Sequence, residues 1–215
     1  ADRGDELPDK LMIAFKSIKA SDSTAWSSTG ILTESNEHFE YRLTIINNTQ
    51  VDRSNMVIVD VLPYIGDTAI QSNLAGVRIP RESEFANFYD TSTLVSVNLP
   101  GYTVYYYNSD TPIAYGSSTT EDVLDNQLTW SSAPAYNTKA IRVVQNDGVI
   151  LAQGQTLEII IPMIAPDNTD MSISGMAAYN TYVRKDNTTL NRYLEPNRVF
   201  NMVPYPSDRK STRLN

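Results

Sequence analysis

Two charged side chains stand where the surrounding sequence reads as buried strand. Lys16 lies in LMIAFKSIK, where Met12, Ala14, Lys16 and Ile18 share one face of an extended chain. Asp60 lies in VIVDVLP, with Val57, Ile58, Val59, Val61 and Leu62 around it. A charge in an apolar interior is costly unless it is paired or neutralised. Burial lowers the pKa of an amine and raises that of a carboxyl, so a shared pocket can hold a neutral lysine beside a protonated acid. A neutral amine is a nucleophile, and a protonated carboxyl polarises a carbonyl. With an asparagine side chain as third member, the amine would attack its Cγ and expel ammonia, leaving a Lys–Asn isopeptide bond. A buried salt bridge, or a lysine whose stem reaches out to water, accounts for the same residues without any reaction. Spacing alone favours that plainer reading.

Other chemistries have little to work with. The 215 residues include no cysteine and one histidine, His38. Thiol nucleophiles, disulfides and cysteine zinc sites are therefore impossible, and a serine triad would have to use His38. That residue sits between Glu37 and Phe39 at the head of a strand-like run and reads as solvated. Arg3-Gly4-Asp5 spells an integrin-recognition tripeptide, but an ordinary charged lead-in explains it better. Asp60, Asp122, Asp125 and Glu158 are acids of the kind a glycosidase pairs, yet sequence cannot bring two of them together. Asp52, Asp67, Asp167 and Asp170 offer hard oxygen ligands for calcium, but none lies in a D-x-D/N-x-D/N-G loop, so no metal is assigned. The 13 Tyr and 2 Trp could line a glycan-binding face. Tyr105, Tyr106 and Tyr107 alternate sides of one strand, however, so part of that set must be core, and Trp26 and Trp130 read the same way.

These residues must be held by strands. Apolar residues make up 41% of the chain, enough for a core. A formal charge of −8 argues against wrapping a phosphate backbone, so nucleic acid is not an expected partner. No apolar run approaches the ~20 residues of a membrane span, and no signal peptide begins at Ala1. Nine short runs are rich in β-branched and apolar residues: 11–18, 39–46, 56–62, 94–99, 102–107, 140–144, 156–161, 176–183 and 198–203. Turn residues separate them, and Asn146-Asp147-Gly148 predicts a hairpin. The one candidate helix is Arg81 to Tyr89. The pattern predicts a single all-β sandwich over 10–205 with long loop insertions, an extended lead-in at 1–9, and a basic tail at 206–215 that is disordered or non-native.

The order of the segments carries a resemblance. FEYRLTIINNTQ followed by MVIVDVLPYIGD resembles the Y-x-I/V-x-I/V-x-N … V-x-D-x-LP-x-x-GD signature of isopeptide-forming domains in Gram-positive surface adhesins and pilins. RESEF, YTVYYY, LTW, KAIRV, LAQGQTLEIIIPM and GMAAYNTYV then follow in the order of those domains, so the likeness runs from Leu11 to Val203. It is specific in order and weak in any one piece. The resemblance implies a collagen-adhesin-like (Cna A-type) immunoglobulin-related antiparallel sandwich. In that family a lysine on the first strand joins an asparagine on the penultimate strand, with an aspartate as catalyst. Matched residue by residue, these are Lys16, Asn180 and Asp60, with Lys19 as second-choice donor and Asn201 as second-choice acceptor. The implied function is a structural or adhesive module of a cell-wall-attached surface protein. It would be extracellular, monomeric, free of cofactors and non-enzymatic apart from one self-cross-linking event. Its partners would be neighbouring domains and an unidentified host or bacterial ligand. The alternative is a carbohydrate-binding or glycan-acting domain that uses exposed Tyr and Trp.

Overall fold

The computed structural model describes residues 11–73 and 75–205. The expected lead-in and tail, and with them Arg3, Gly4 and Asp5, lie outside the described residues. In chain order the strands are β1 (Met12–Ala20), β2 (Gly30–Leu32), β3 (His38–Asn47), β4 (Val57–Val61), β5 (Phe88–Tyr89), β6 (Ser96–Val97), β7 (Tyr102–Asn108), β8 (Thr138–Gln145), β9 (Thr156–Ile164), β10 (Ala177–Asn180), β11 (Tyr182–Lys185) and β12 (Val199–Met202). One sheet runs β1-β3-β9-β5, with β6 also on β9; a second runs β11-β4-β8-β7; a small third runs β10-β12-β2. All pairings between strands are antiparallel except β12 with β2.

The first two sheets enclose the main core. Phe39, Tyr41, Leu43 and Ile45 of β3 and Leu157, Ile159, Ile161 and Met163 of β9 meet Ile58, Tyr106, Ile141, Val143 and Tyr182 from the second sheet. The outer face of the first sheet carries the pairs Lys19–Glu40 and Arg42–Glu158. In β3 apolar Phe39, Tyr41, Leu43 and Ile45 alternate with outward Glu40, Arg42 and Thr44, whereas β1 and β9 also turn Ile13, Phe15 and Ile160 to that face. The second sheet is covered on both faces. Val57, Val59 and Val61 pack outward against Ile70, Ile113, Tyr115, Val123, Leu124 and Tyr193 from the long connections. Burial on both sides explains why VIVDV is an unbroken apolar run apart from Asp60.

Signature residues hold the corners. Asn47 is fully buried; its Nδ2 donates to the carbonyls of Val51 and Leu151, and its Oδ1 accepts from Thr49. Gly66, at φ +81°, makes the turn that brings Asp67 back to accept from the Tyr64 N–H.

Three local expectations are corrected. Residues 81–89 form no helix: Arg81, Ser83, Phe85 and Asn87 are buried while Glu82 and Glu84 are exposed, which is the period of an extended chain. Glu82 sits at φ +67°, outside helical space. The only helical segment among the described residues is a short π-helix at Asp122–Gln127. The turn at Asn146–Gly148 forms, with Gly148 at φ +78°, but it joins no hairpin, because β8 belongs to the second sheet and β9 to the first. The run 176–183 is two strands in different sheets, broken at Thr181. The short strands β2 and β5 had no counterpart among the expected runs.

Leu43→Ala, at a position 1% exposed, is expected to cost about 2–5 kcal/mol in urea unfolding. Leu94→Ala, at a position 69% exposed, should cost within about 0.5 kcal/mol. Equal losses at both would contradict this division of core from surface.

Candidate functional site

Three strands converge on one buried point. On β1, Lys16 faces inward with Met12, Ala14 and Ile18, opposite Leu43 of β3. Its backbone lies on the free edge of the first sheet. There the Asn197 side chain takes the place of a neighbouring strand, Oδ1 accepting from the Lys16 N–H at 2.8 Å and Nδ2 donating to the Lys16 carbonyl at 3.1 Å. On β4, Asp60 faces inward beside Ile58, opposite Ile141 and Tyr182. Asn180 ends β10 where the chain leaves the third sheet, one residue before β11 joins the second.

The side chains of these residues form one network. Lys16, Asp60 and Asn180 are 0%, 1% and 0% exposed. Lys16 Nζ pairs with Asp60 Oδ2 and lies 3.5 Å from the Thr181 carbonyl oxygen. The other oxygen of the same carboxylate, Oδ1, accepts from Asn180 Nδ2 at 2.9 Å. Asn180 Oδ1 accepts from Arg81 Nη1 at 3.1 Å and from the Thr181 N–H at 2.8 Å. These partners settle the amide orientation, since a flipped amide would set donor against donor at Arg81 and Thr181 and acceptor against acceptor at Asp60. Arg81 also donates to the Val61 carbonyl at 3.0 Å. Its Nη2 makes a charge contact of 2.8 Å with Asp67 without hydrogen-bond alignment. Asp67 is held in turn by Ser83 Oγ at 3.0 Å. The ring of Tyr41 lies 4.1 Å from Lys16 Nζ and closes the pocket.

Burial drives the Lys16 amine down to about 8 against the upward pull of Asp60, and Arg81 adds a further downward push. Burial likewise raises the Asp67 carboxyl, with Arg81 opposing, and raises the Tyr41 phenol. An amine so lowered is a nucleophile near neutral pH. The amide beside it has its oxygen on two donors and its nitrogen on a carboxylate.

The sequence reading named Lys16, Asp60 and Asn180, and the structure brings these three together. One expectation changes: Asp60 meets the amide nitrogen, while the carbonyl oxygen is held by Arg81 and the Thr181 backbone. The second choices stand elsewhere. Lys19 is on the outer face, paired with Glu40 and 5.0 Å from the Trp26 ring. Asn201 is buried but bonded to Asn87 and Thr33. His38 is exposed at the start of β3, 2.8 Å from Asp90. Among the described residues no group of three or more His, Asp or Glu could hold a metal ion. Trp26 is covered by Arg42, and Trp130 packs on Tyr107 and donates to the Leu124 carbonyl. Tyr106 is core. Trp26, Trp130 and Tyr106 are thus engaged in packing, whereas Tyr136 is 79% exposed. Arg81, Thr181 and Tyr41 were missed as site residues. The period-two burial of 81–87 was hidden because its inward positions are mostly polar.

The site defines a class: an all-β protein whose sandwich interior holds a buried Lys–Asp–Asn triad. No family model and no curated protein match the sequence. Structural neighbours of the chain include Gram-positive adhesin and pilin domains. The N-terminal domain of the Streptococcus gordonii adhesin Sgo0707 is 10% identical, with 91% of this chain and 32% of that one covered, at a TM-score of 0.41. The C-terminal fragment of the Streptococcus agalactiae major pilin GBS80 is 10% identical over 90% of this chain and 56% of that one, at 0.42. A family 123 glycoside hydrolase from Clostridium perfringens follows at 0.36, with 10% identity and coverage of 89% and 27%. Likeness at these scores carries no functional inference. The chain spans about a quarter to just over half of the length of these neighbours. No helix among the described residues is long and apolar enough to cross a membrane.

In an Asn180→Ala chain, which offers Lys16 no amide to join, Asp60→Ala strands a buried ammonium and is expected to cost about 3–5 kcal/mol. In the Lys16→Met background the same change should cost far less, and a double-mutant cycle by chemical unfolding measures the difference. A coupling near zero would mean that Lys16 and Asp60 do not form a buried pair.

Proposed function

We propose that this chain is a structural or adhesive module of a bacterial surface protein that cross-links itself once, joining Lys16 to Asn180 with release of ammonia. The observation that carries the reading is the single buried carboxylate with the Lys16 amine on one oxygen and the Asn180 amide nitrogen on the other. Asp60 takes a proton from Lys16, and the freed amine attacks Asn180 Cγ. The oxygen that gains charge stays between Arg81 and the Thr181 N–H, an arrangement able to stabilise an oxyanion. Asp60 relays protons from the attacking nitrogen to Nδ2, the old C–N bond breaks, and ammonia leaves. Overall, a lysine ammonium and a primary amide become a secondary amide and an ammonium ion.

The bond would close a loop of more than 160 residues. On the loop-entropy account developed for disulfides, such a closure contributes about 5 kcal/mol. In a chain without cysteine it would be a covalent staple that no reductant opens. It would also route tension applied near the ends of the domain through a covalent bond.

The test is the intact mass of the denatured chain, expected to be low by one ammonia, with digestion yielding one branched peptide that contains Lys16 and Asn180. Lys16→Arg and Asn180→Ala should restore the full mass, whereas Lys19→Arg and Asn201→Ala should keep the loss. A full mass in the parent chain refutes the reading.

Rates test the mechanism. With the Lys16 amine near 8, about one in ten is neutral at pH 7, against roughly one in a few thousand for an unperturbed lysine. Because Asp60 takes the Lys16 proton internally, the reacting pair carries as many protons as the resting pair. Cross-linking of freshly synthesised chain, quenched in denaturant, should therefore be level with pH up to about 8 and fall above it, where the proton relayed to the leaving nitrogen is lost. Arg81→Met should slow it by about 10²–10³ without abolishing it.

A further inference from the structure

A cleft of about 790 Å³ is formed by the start of β1, the turn at 49–53 that precedes β4, and the segment from Arg184 to Leu194. Its volume falls within the range of small-ligand sites. The described residues lining it include three arginines, Arg53, Arg184 and Arg192, and one acid, Asp186, in a chain whose formal charge is −8. Arg53 and Arg184 are only 8% and 7% exposed. Asp186 is already committed: Oδ2 pairs with Arg184 Nη1 at 2.9 Å, and Oδ1 accepts from the Thr188 N–H and hydroxyl at 2.8 and 2.6 Å. The Arg53 guanidinium makes no hydrogen bond or ion pair with any described residue, and the Nε atoms of both Arg53 and Arg184 are buried without an acceptor. Among the described residues Arg53 has no counter-charge, and the lining carries three cationic groups against one anionic group.

We infer that this cleft binds a carboxylate-bearing saccharide. A carboxylate matches the planar fork of Arg53 and the remaining edge of Arg184. Around them the walls carry hydroxyl and amide groups, Thr188, Gln50 and Gln71, suited to ring hydroxyls. Val51 and Leu194, 57% and 44% exposed, offer apolar surface to the C–H face of a pyranose. A polyanion such as nucleic acid would meet the negative charge of the rest of the chain. The proposal needs neither the cross-link nor the surface-module reading.

The experiment titrates the chain with 3′-sialyllactose and with trigalacturonate, using lactose and hexaglutamate as comparison probes and calorimetry or NMR shifts as the readout. At least one acidic saccharide should bind, with lactose weaker by about tenfold or more. Arg53→Gln should weaken that binding by a similar factor, and the unfolding midpoint should stay level or rise, because an unpaired charge has been removed. Val51→Trp, on the exposed rim, should block binding without disturbing the core and serves where Arg53→Gln fails to fold. Absence of binding by both acidic saccharides at millimolar concentration overturns the proposal. So does lactose or hexaglutamate binding as tightly as they do, or affinity unchanged in a folded Arg53→Gln.

Discussion

A positive charge that cannot reach water sets the terms for this fold. Lys16 is fully enclosed between two sheets, and its counter-charge is an equally enclosed carboxylate on the opposite sheet. An ion pair in such a place is rarely a net gain in stability, but separating its members is strongly unfavourable. The pair therefore acts as a registration device. β1 and β4 must present positions 16 and 60 to each other, or two charges are left bare in an apolar interior. Asn197 reinforces the same register from the edge of the first sheet by holding both backbone groups of Lys16.

The break between β10 and β11 follows from the same demand for polar partners. A strand running straight through 176–183 would place Asn180 in a single ladder. Instead Thr181 gives its N–H to the Asn180 side chain, and the chain crosses from the third sheet to the second at that point. The crossing leaves an amide, two donors and a carboxylate in contact in a buried pocket. Arg81 completes the set, because the extended segment that carries it is fastened through Asp67 and Ser83, the former supplied by the turn at Gly66. Site and scaffold share residues: the inward Tyr41 of β3 is both core and the lid over Lys16.

Two regions of unusual charge thus divide the molecule. In the interior, each charged or amide group of the triad finds a partner within the chain, and the proposed reaction is internal. At the cleft, Arg53 lacks such a partner among the described residues. A group satisfied from within contributes to structure, and one left unsatisfied at a concave surface points to something outside the chain.

Much of the architecture was legible in the sequence. Alternation in FEYRLTIIN gave a strand with one wet face, the unbroken VIVDVL gave a strand covered on both, and a lone lysine and a lone aspartate in such runs marked the interior charges. Those are local facts, carried by side-chain type and a period of two. Other features were not local. The sheet change at Thr181, the extended path of 81–87 and the absence of a hairpin at Asn146–Gly148 depend on which distant segment supplies a partner. Asp60 meets an asparagine 120 residues away and Arg81 reaches one 99 residues away. Residue chemistry alone determined that this protein has charges it must bury. Only the tertiary structure decided that the carboxylate faces the amide nitrogen and the guanidinium the amide oxygen, because hydrogen-bond geometry is set by the packing of whole sheets and leaves no trace in the spacing of residues along the chain.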